Sequence, residues 1–332
     1  MKLISTVGLV EKYPSWLEQR HSGKEILKNF EIFKQKNKLN QTMSMLIGFI
    51  GSGKIAQAMI KGFLAAGITR VENILASAPK DDFKNHYKTR DIGCRTTYDN
   101  REVVEQSEIV VLAVKPPIVE PVLGQIKSLI TPKHLLISIA AGITLQTMEK
   151  SLPDDARVVR VMSNTPVLIR EGASVFALGK NASKPDGELV KKLFESVGIC
   201  DQIPENLIDA VTALSGSGPA YVSLLLVIID SLLIYRFFDT FQTYMSMEAL
   251  ADAGVLEGIP RELSYNLIAQ TMIGAAKMVL QTGKHPAGLK DDVCSPAGCT
   301  INAMYHLEKE GFRSLLIDAV QIATKVSKSN SQ

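Results

Sequence analysis

The chain has 332 residues, 46% of them hydrophobic and 21% charged, with a formal net charge of +3. These values suit an ordinary globular protein and exclude a disordered chain or a strongly basic nucleic-acid binder, and no aromatic-studded basic patch supports the latter. The length predicts two domains, and the four cysteines (Cys94, Cys200, Cys294, Cys299) lack C-x-x-C spacing and read as reduced thiols.

Residues 1–44 read as a polar extension with some helical spacing at Ile26, Phe30 and Phe33. Leu3–Val10 is only partly apolar and no small-residue cleavage pattern follows it. Glu11, Glu18, Glu25 and Glu31 argue against a mitochondrial presequence. Met43 and Met45 both stand just ahead of the first convincing strand, and a cytoplasmic location is the default expectation.

From Met45 the pattern becomes regular. Met45–Ile50 is a short apolar run, hence a buried strand; Gly51-Ser52-Gly53 follows, then an apolar helix over Lys54–Ala66 that Gly67 ends. Asn73–Ser77, Glu108–Val114, His134–Ala140 and Arg157–Met162 continue the series of strands, with helical segments between several of them. This alternation implies parallel crossovers, so residues 45–163 are expected to form a Rossmann-like, doubly wound α/β sheet. Residues 164–204 read as sheet continuation and linker, with the break between the two halves in the loop Ser163–Glu171. Helical patterns then dominate, at Glu188–Ser196, Glu205–Leu214, Tyr244–Ala253, Arg261–Gln281 and Ile301–Glu308. An all-helical domain is therefore expected over 205–328.

Gly51-Ser52-Gly53-Lys54-Ile55-Ala56 is a G-x-G-x-x-A between strand and helix. Gly51 permits the tight turn, Gly53 lets a pyrophosphate approach the backbone, and Ala56 keeps helix and strand close. The second strand ends Ala76-Ser77-Ala78-Pro79-Lys80, placing a hydroxyl and an ammonium where a ribose 2′-phosphate sits; NADPH is expected, with NADH the alternative. Ala113-Val114-Lys115-Pro116 and Ala140-Ala141-Gly142 lie at the carboxyl ends of later strands, where open α/β sheets bind ligands. Leu214–Tyr221 (LSGSGPAY) begins a helix, its small residues serving packing or ligand contact equally well. In Asp291–Ile301 a polar loop runs into a helix, so the amides of Gly298, Cys299 and Thr300 offer a carboxylate site, or simply an ordinary helix start. The five histidines are scattered, and no metal cluster or nucleophile–base arrangement is visible. A reductase tolerates that absence, because the cofactor carries the chemistry.

From Met45 to Val326 the chain resembles the pyrroline-5-carboxylate reductase family, through IGFIGSGKIAQAMIKGF, LAVKPP, SIAAGITL, RVMSNTPVLIREGASVF, LIDAVTALSGSGPAY and HPAGLKDDVCSPAGCTINAMYHLEKEGFRSLLIDAV. The ASAP and DVCSPAGCT wording is nearer the animal cytosolic form than the mitochondrial ones. The resemblance implies reduction of 1-pyrroline-5-carboxylate to L-proline with NAD(P)H by a homodimer, often assembled further, with no nucleic-acid or membrane partner. It implies pyrophosphate contacts from Ile50, Gly51, Ser52, Gly53, Lys54 and Ile55, and adenosine contacts from Ser77, Ala78 and Asn100. Lys80, Ala113, Val114, Lys115, Pro116, Ala141 and Asp292 complete the cofactor set. Glu205, Gly298, Cys299 and Thr300 fall to the substrate, with Thr300 the hydrogen-bond donor to the ring nitrogen. Asp292 and Ala78 stand where some members have asparagine and serine.

Two rival readings are a β-hydroxyacid dehydrogenase, for which Lys277 would be the catalytic lysine, and a dinucleotide sensor without turnover. One segment fits none of these. Val222–Gln242 (VSLLLVIIDSLLIYRFFDTFQ) reads as translated intron: its removal joins GPAY directly to Thr243, and its ends can be encoded GTAAGT and TTTCAG, consensus splice signals. A membrane helix is disfavoured, since only about 14 of its residues are mainly apolar and Asp230 interrupts them, short of the roughly 20 needed. A natural helical extension is the remaining alternative.

Overall fold

The computed structural model describes residues 45–222 and 236–330, the last stretch by backbone alone over 236–242; the expectations for 1–44 and for 223–235 lie outside the described residues. Strands β1 (Ile47–Ile50), β2 (Ile74–Ser77), β3 (Arg95–Thr97), β4 (Ile109–Leu112), β5 (Leu135–Ser138), β6 (Arg157–Met162), β7 (Gly172–Leu178) and β8 (Gly198–Gln202) form one sheet in the order β3-β2-β1-β4-β5-β6-β7-β8. The chain steps outward from β1 through β2 to β3, then returns to lay β4 on the other side of β1. That reversal puts a crevice at the carboxyl ends of β1 and β4.

The strands form because their side chains are buried on both sides. In β4, Ile109 and Val111 enter one apolar cluster while Val110 and Leu112 enter the other, on the opposite face. Ile47, Phe49 and Ile50 of β1 are fully buried, and each such side chain contributes about 1.5–3 kcal/mol relative to exposure.

The parallel crossovers expected over residues 45–163 are present, since β1 to β6 pair in parallel throughout, and the one departure lies beyond them. β7 runs antiparallel to β6, whereas every other neighbouring pair is parallel. Residues 163–171 hold only a short 3₁₀ turn, Thr165–Ile169. That is too little chain for a parallel return, which takes a dozen residues or more. The sheet runs on past Ser163–Glu171 through β7 and β8, bridged by the Lys184–Glu195 helix.

Helices come next. The expected helix over Glu205–Leu214 is broken into a 3₁₀ turn (Glu205–Leu207), one α turn (Ile208–Val211) and a π turn (Thr212–Gly216), and helix resumes at 218–222. Arg236–Leu256 is one helix, longer than the expected Tyr244–Ala253 and continuous across Thr243. It packs against Arg261–Thr282. Pro286–Val293, Cys299–Lys309 and Phe312–Asn330 complete the chain; Asp291 and Asp292 are thus helical, not part of a loop running from 291. Among the described residues no helix is long and apolar enough to cross a membrane.

Candidate functional site

The glycine-rich turn sits at the crevice, and its geometry explains its residues. Gly51 has φ +100°, a conformation L side chains rarely adopt, and a Cβ there would lie 2.5 Å from the Ala113 carbonyl oxygen. Gly53 differs: a Cβ would meet nothing within 4 Å. Gly51 is thus demanded by the fold, while Gly53 leaves open space above the amino end of the Lys54–Ala65 helix. Ser52 is 3% exposed and its Oγ has no hydrogen-bond partner in the structure, a buried polar group that a phosphate oxygen at this helix end would satisfy. These features fit a dinucleotide pyrophosphate. The Ile50 side chain is in the core and its carbonyl accepts from the Ala113 amide, so Ile50 shapes the turn without presenting a side chain. Lys54 and Ile55 are exposed on the first turn of the helix.

Ser77 ends β2 and donates from Oγ to Asn100 Oδ1 at 2.7 Å, while Asn100 Nδ2 donates to Gln125 Oε1 at 2.9 Å. The structure therefore brings Ser77 and Asn100 together as one preset polar pair. Ala78 is buried and Lys80 exposed just beyond it. The nearby Asp82 is committed elsewhere, as its carboxylate caps the Phe83–Asp91 helix through the Asn85 amide. Lys115 is the N-cap of the Pro116–Ile126 helix, with Ala113 and Val114 half-buried beneath it. Ala141 is exposed, followed by Gly142 at φ +74°.

Gly298 caps the Cys299–Lys309 helix, leaving the first amides of that helix without side-chain partners, as the sequence predicts for an anion site. A Cβ on Gly298 would lie 2.2 Å from Ser295 Oγ, so a side chain there would require that hydroxyl to turn away. Ala297 precedes it at φ 56°. Thr300 is buried with its Oγ1 2.8 Å from Ser217 Oγ, and Cys299 is exposed beside it. Burial pushes the Cys94 thiol up to about 11 and raises Cys200 as well, which makes both poor nucleophiles.

Asp292 Oδ1 lies 3.8 Å from Lys54 Nζ, and its Oδ2 accepts from Lys284 at 2.8 Å. Both lysines hold the Asp292 carboxyl below the usual range, the Lys284 hydrogen bond most. Exposed pairs of this kind contribute at most about 1 kcal/mol, so the contact registers the two segments without holding them. It places the segment leading to Gly298–Thr300 against the head of the dinucleotide helix.

Glu205 belongs to other contacts. Its Oε1 accepts from the Leu145 amide at 2.6 Å and from Arg160 Nη1 at 3.0 Å, with Arg160 also reaching Asp209 at 3.1 Å. These bonds tie the Glu205–Leu207 turn to the sheet, which is one reason no regular helix starts there. Lys277, the candidate of the dehydrogenase reading, is ion-paired to Glu171, whose carboxyl this bond holds below the usual range. For the stretch that holds Ser217 and Tyr221 the sequence leaves packing and ligand contact equally open. The motif LSGSGP was the only local sign of them, and small residues equally suit packing.

A family model described as pyrroline-5-carboxylate reductase dimerisation matches residues 242–330, and one described as NADP oxidoreductase, coenzyme F420-dependent, matches residues 46–142. The chain is 45% identical over 280 residues to pyrroline-5-carboxylate reductase 2 of Bos taurus, covering 83% of this chain and 81% of that protein. It is 40% identical over 286 residues to pyrroline-5-carboxylate reductase 3 of Mus musculus, covering 86% and 96%. Among solved structures, a pyrroline-5-carboxylate reductase from Coxiella burnetii aligns with TM-score 0.52 at 32% identity, covering 86% of this chain and 98% of that one. A pyrroline carboxylate reductase from Plasmodium falciparum, with NADP bound, aligns with TM-score 0.51 at 33% identity, covering 87% and 98%. With both halves of the site carried by matched segments, the chain belongs to the pyrroline-5-carboxylate reductase family.

Proposed function

We propose that this chain reduces 1-pyrroline-5-carboxylate to L-proline with NADPH, the final step of proline biosynthesis. The observation that carries this reading is the approach of Asp292, six residues ahead of the Gly298 helix start, to Lys54 on the first turn of the helix that follows the glycine-rich turn. Bound NADPH supplies the hydride. The residues of the chain bind and orient. Gly51–Ile55 receive the pyrophosphate, Ser77 with Asn100 the ribose, and Lys80 the 2′-phosphate. Ala113–Pro116 and Ala141 line the far half of the crevice. The amides of Gly298, Cys299 and Thr300 hold the substrate carboxylate, fixing which ring face is presented, and Thr300 Oγ1 meets the ring nitrogen. Glu205 we read as acting through Arg160 on the shape of the turn, not on substrate.

Exposed Leu256 (87%) and Leu280 (83%), with Tyr305 and Leu315, leave apolar helical surface that a second copy would cover, and assembly into a larger homo-oligomer obeys the same logic. Incubation with 1-pyrroline-5-carboxylate and NADPH should yield proline by mass spectrometry; cofactor binding without product would instead favour a dinucleotide sensor.

Thr300→Ala is expected to lower kcat while NADPH affinity stays intact, with a loss of about 1–3 kcal/mol of transition-state stabilisation. Steady-state kinetics check it, and unchanged turnover would remove Thr300 from the mechanism. Lys80→Asp is expected to move the NADPH/NADH ratio of kcat/KM toward NADH by on the order of tenfold, the scale for an exposed charge reversal. A ratio that does not move would place the 2′-phosphate elsewhere.

A further inference from the structure

Thr300 is held by a side chain from a different part of the fold. Ser217 Oγ lies 2.8 Å from Thr300 Oγ1 and 3.6 Å from Cys299 Sγ. Ser217 is 1% exposed and Thr300 5%, so bulk water does not compete for these hydroxyls. We infer that Ser217 is a positioning residue that sets the direction of the Thr300 O–H bond toward the reacting nitrogen. The inference rests on the reading of Thr300 as the group that meets that nitrogen.

Proton counting shows why the contact matters. Each of the two hydroxyls carries one proton and accepts at its oxygen, so the relay has two self-consistent directions. When Ser217 donates to Thr300, the threonine proton is left to point into the site, where an unprotonated imine nitrogen needs a donor. When the relay runs the other way, Thr300 presents only lone pairs, which an N–H⁺ needs. Without Ser217 this neighbouring hydroxyl no longer fixes where the threonine proton points.

The fold fixes the serine from two sides. The π turn Thr212–Gly216 just before it turns the Ser215 carbonyl toward Asn164 Nδ2, 3.1 Å away, and Ser215 Oγ is 3.0 Å from Thr271 Oγ1. Asn164, Ser215 and Thr271 are all buried, and Asn164 Oδ1 also accepts the Ala173 amide at 2.9 Å. This links the π turn to the sheet and to the Arg261–Thr282 helix. π turns of this kind recur at functional sites. On the other side, Ala220 and Tyr221 pack with Met304 of the Cys299–Lys309 helix. Two separate anchors thus determine one hydroxyl–hydroxyl contact.

The test is a double-mutant cycle on kcat, with KM and the NADPH dissociation constant measured for each variant. It is run in the full-length chain and in parallel in the form lacking Val222–Gln242. Ser217→Ala should lower kcat about ten- to a hundredfold with NADPH affinity unchanged. The Ser217→Ala/Thr300→Ala double variant should be no slower than Thr300→Ala. Ser217→Cys, of similar size but a weak donor, should reproduce the kcat loss if the alanine variant folds poorly. Wild-type kcat in the Ser217 variants while Thr300→Ala falls would overturn the positioning role and leave the Thr300 reading standing, as would multiplicative losses in the double variant. Full activity in Thr300→Ala would overturn both.

Discussion

Deleting Val222–Gln242 is expected to turn a weakly active, poorly assembling chain into an active oligomer, with kcat rising by at least an order of magnitude. The helical stretch 218–222 carries Ala220 and Tyr221 onto the Cys299–Lys309 helix, and Val222 is buried in the main core cluster. A direct continuation from Tyr221 into Thr243 would carry that helix straight on into the segment that packs on Arg261–Thr282. The match to the dimerisation family begins only at residue 242, at the far end of this segment. The 21 residues interrupt the chain between Tyr221 and Thr243 and bring a run of apolar Leu, Ile and Phe into it. Size-exclusion chromatography and steady-state kinetics on the two forms check the expectation. Mature transcript carrying the 63 nucleotides of these 21 codons, with full activity in the long form, would contradict it.

Gly53→Val is expected to abolish detectable NADPH binding while leaving the fold and its melting temperature nearly unchanged. The two glycines of the turn separate these effects. At Gly51 a side chain would strain the backbone and strike Ala113, so loss of cofactor there would be confounded with loss of structure. At Gly53 φ is −67° and a Cβ enters open space, so valine costs the protein little and occupies only the volume left for the pyrophosphate. Calorimetry with NADPH on the folded variant measures it. Undiminished affinity would mean the pyrophosphate lies elsewhere.

Legibility in the sequence depended on which forces were local. β1, β2, β4 and β5 announced themselves because parallel strands buried on both faces are near-continuous apolar runs, and β6 (RVVRVM) stood out by its valines despite Arg160. β3 is three polar residues (RTT) on a sheet edge, and β8 (GICDQ) is another edge strand half open to solvent, so neither shows such a run. β7 (GASVFAL) is buried, but its Gly, Ala and Ser give little hydrophobic signal. The glycine-rich turn was legible because its constraint is a backbone one expressed within six residues. The breaking of the Glu205–Leu214 helix was not, since Arg160, Leu145 and Asn164 reach it from 45 to 60 residues away. Ser217 meets Thr300 across 83 residues of sequence, and only the packing of the helices discloses that pair.

Direct hydride transfer to the imine carbon, at the junction of the dinucleotide turn and the Gly298–Thr300 helix start, is the central claim. It is tested most directly with NADPH deuterated at C4 of the nicotinamide ring, supplied on the transferred face with unlabelled 1-pyrroline-5-carboxylate, in the form lacking Val222–Gln242. Direct transfer predicts proline with one deuterium at C5 per molecule, and loss of that product in Gly53→Val. Proline without deuterium, or label retained in the cofactor while substrate is consumed, would contradict it.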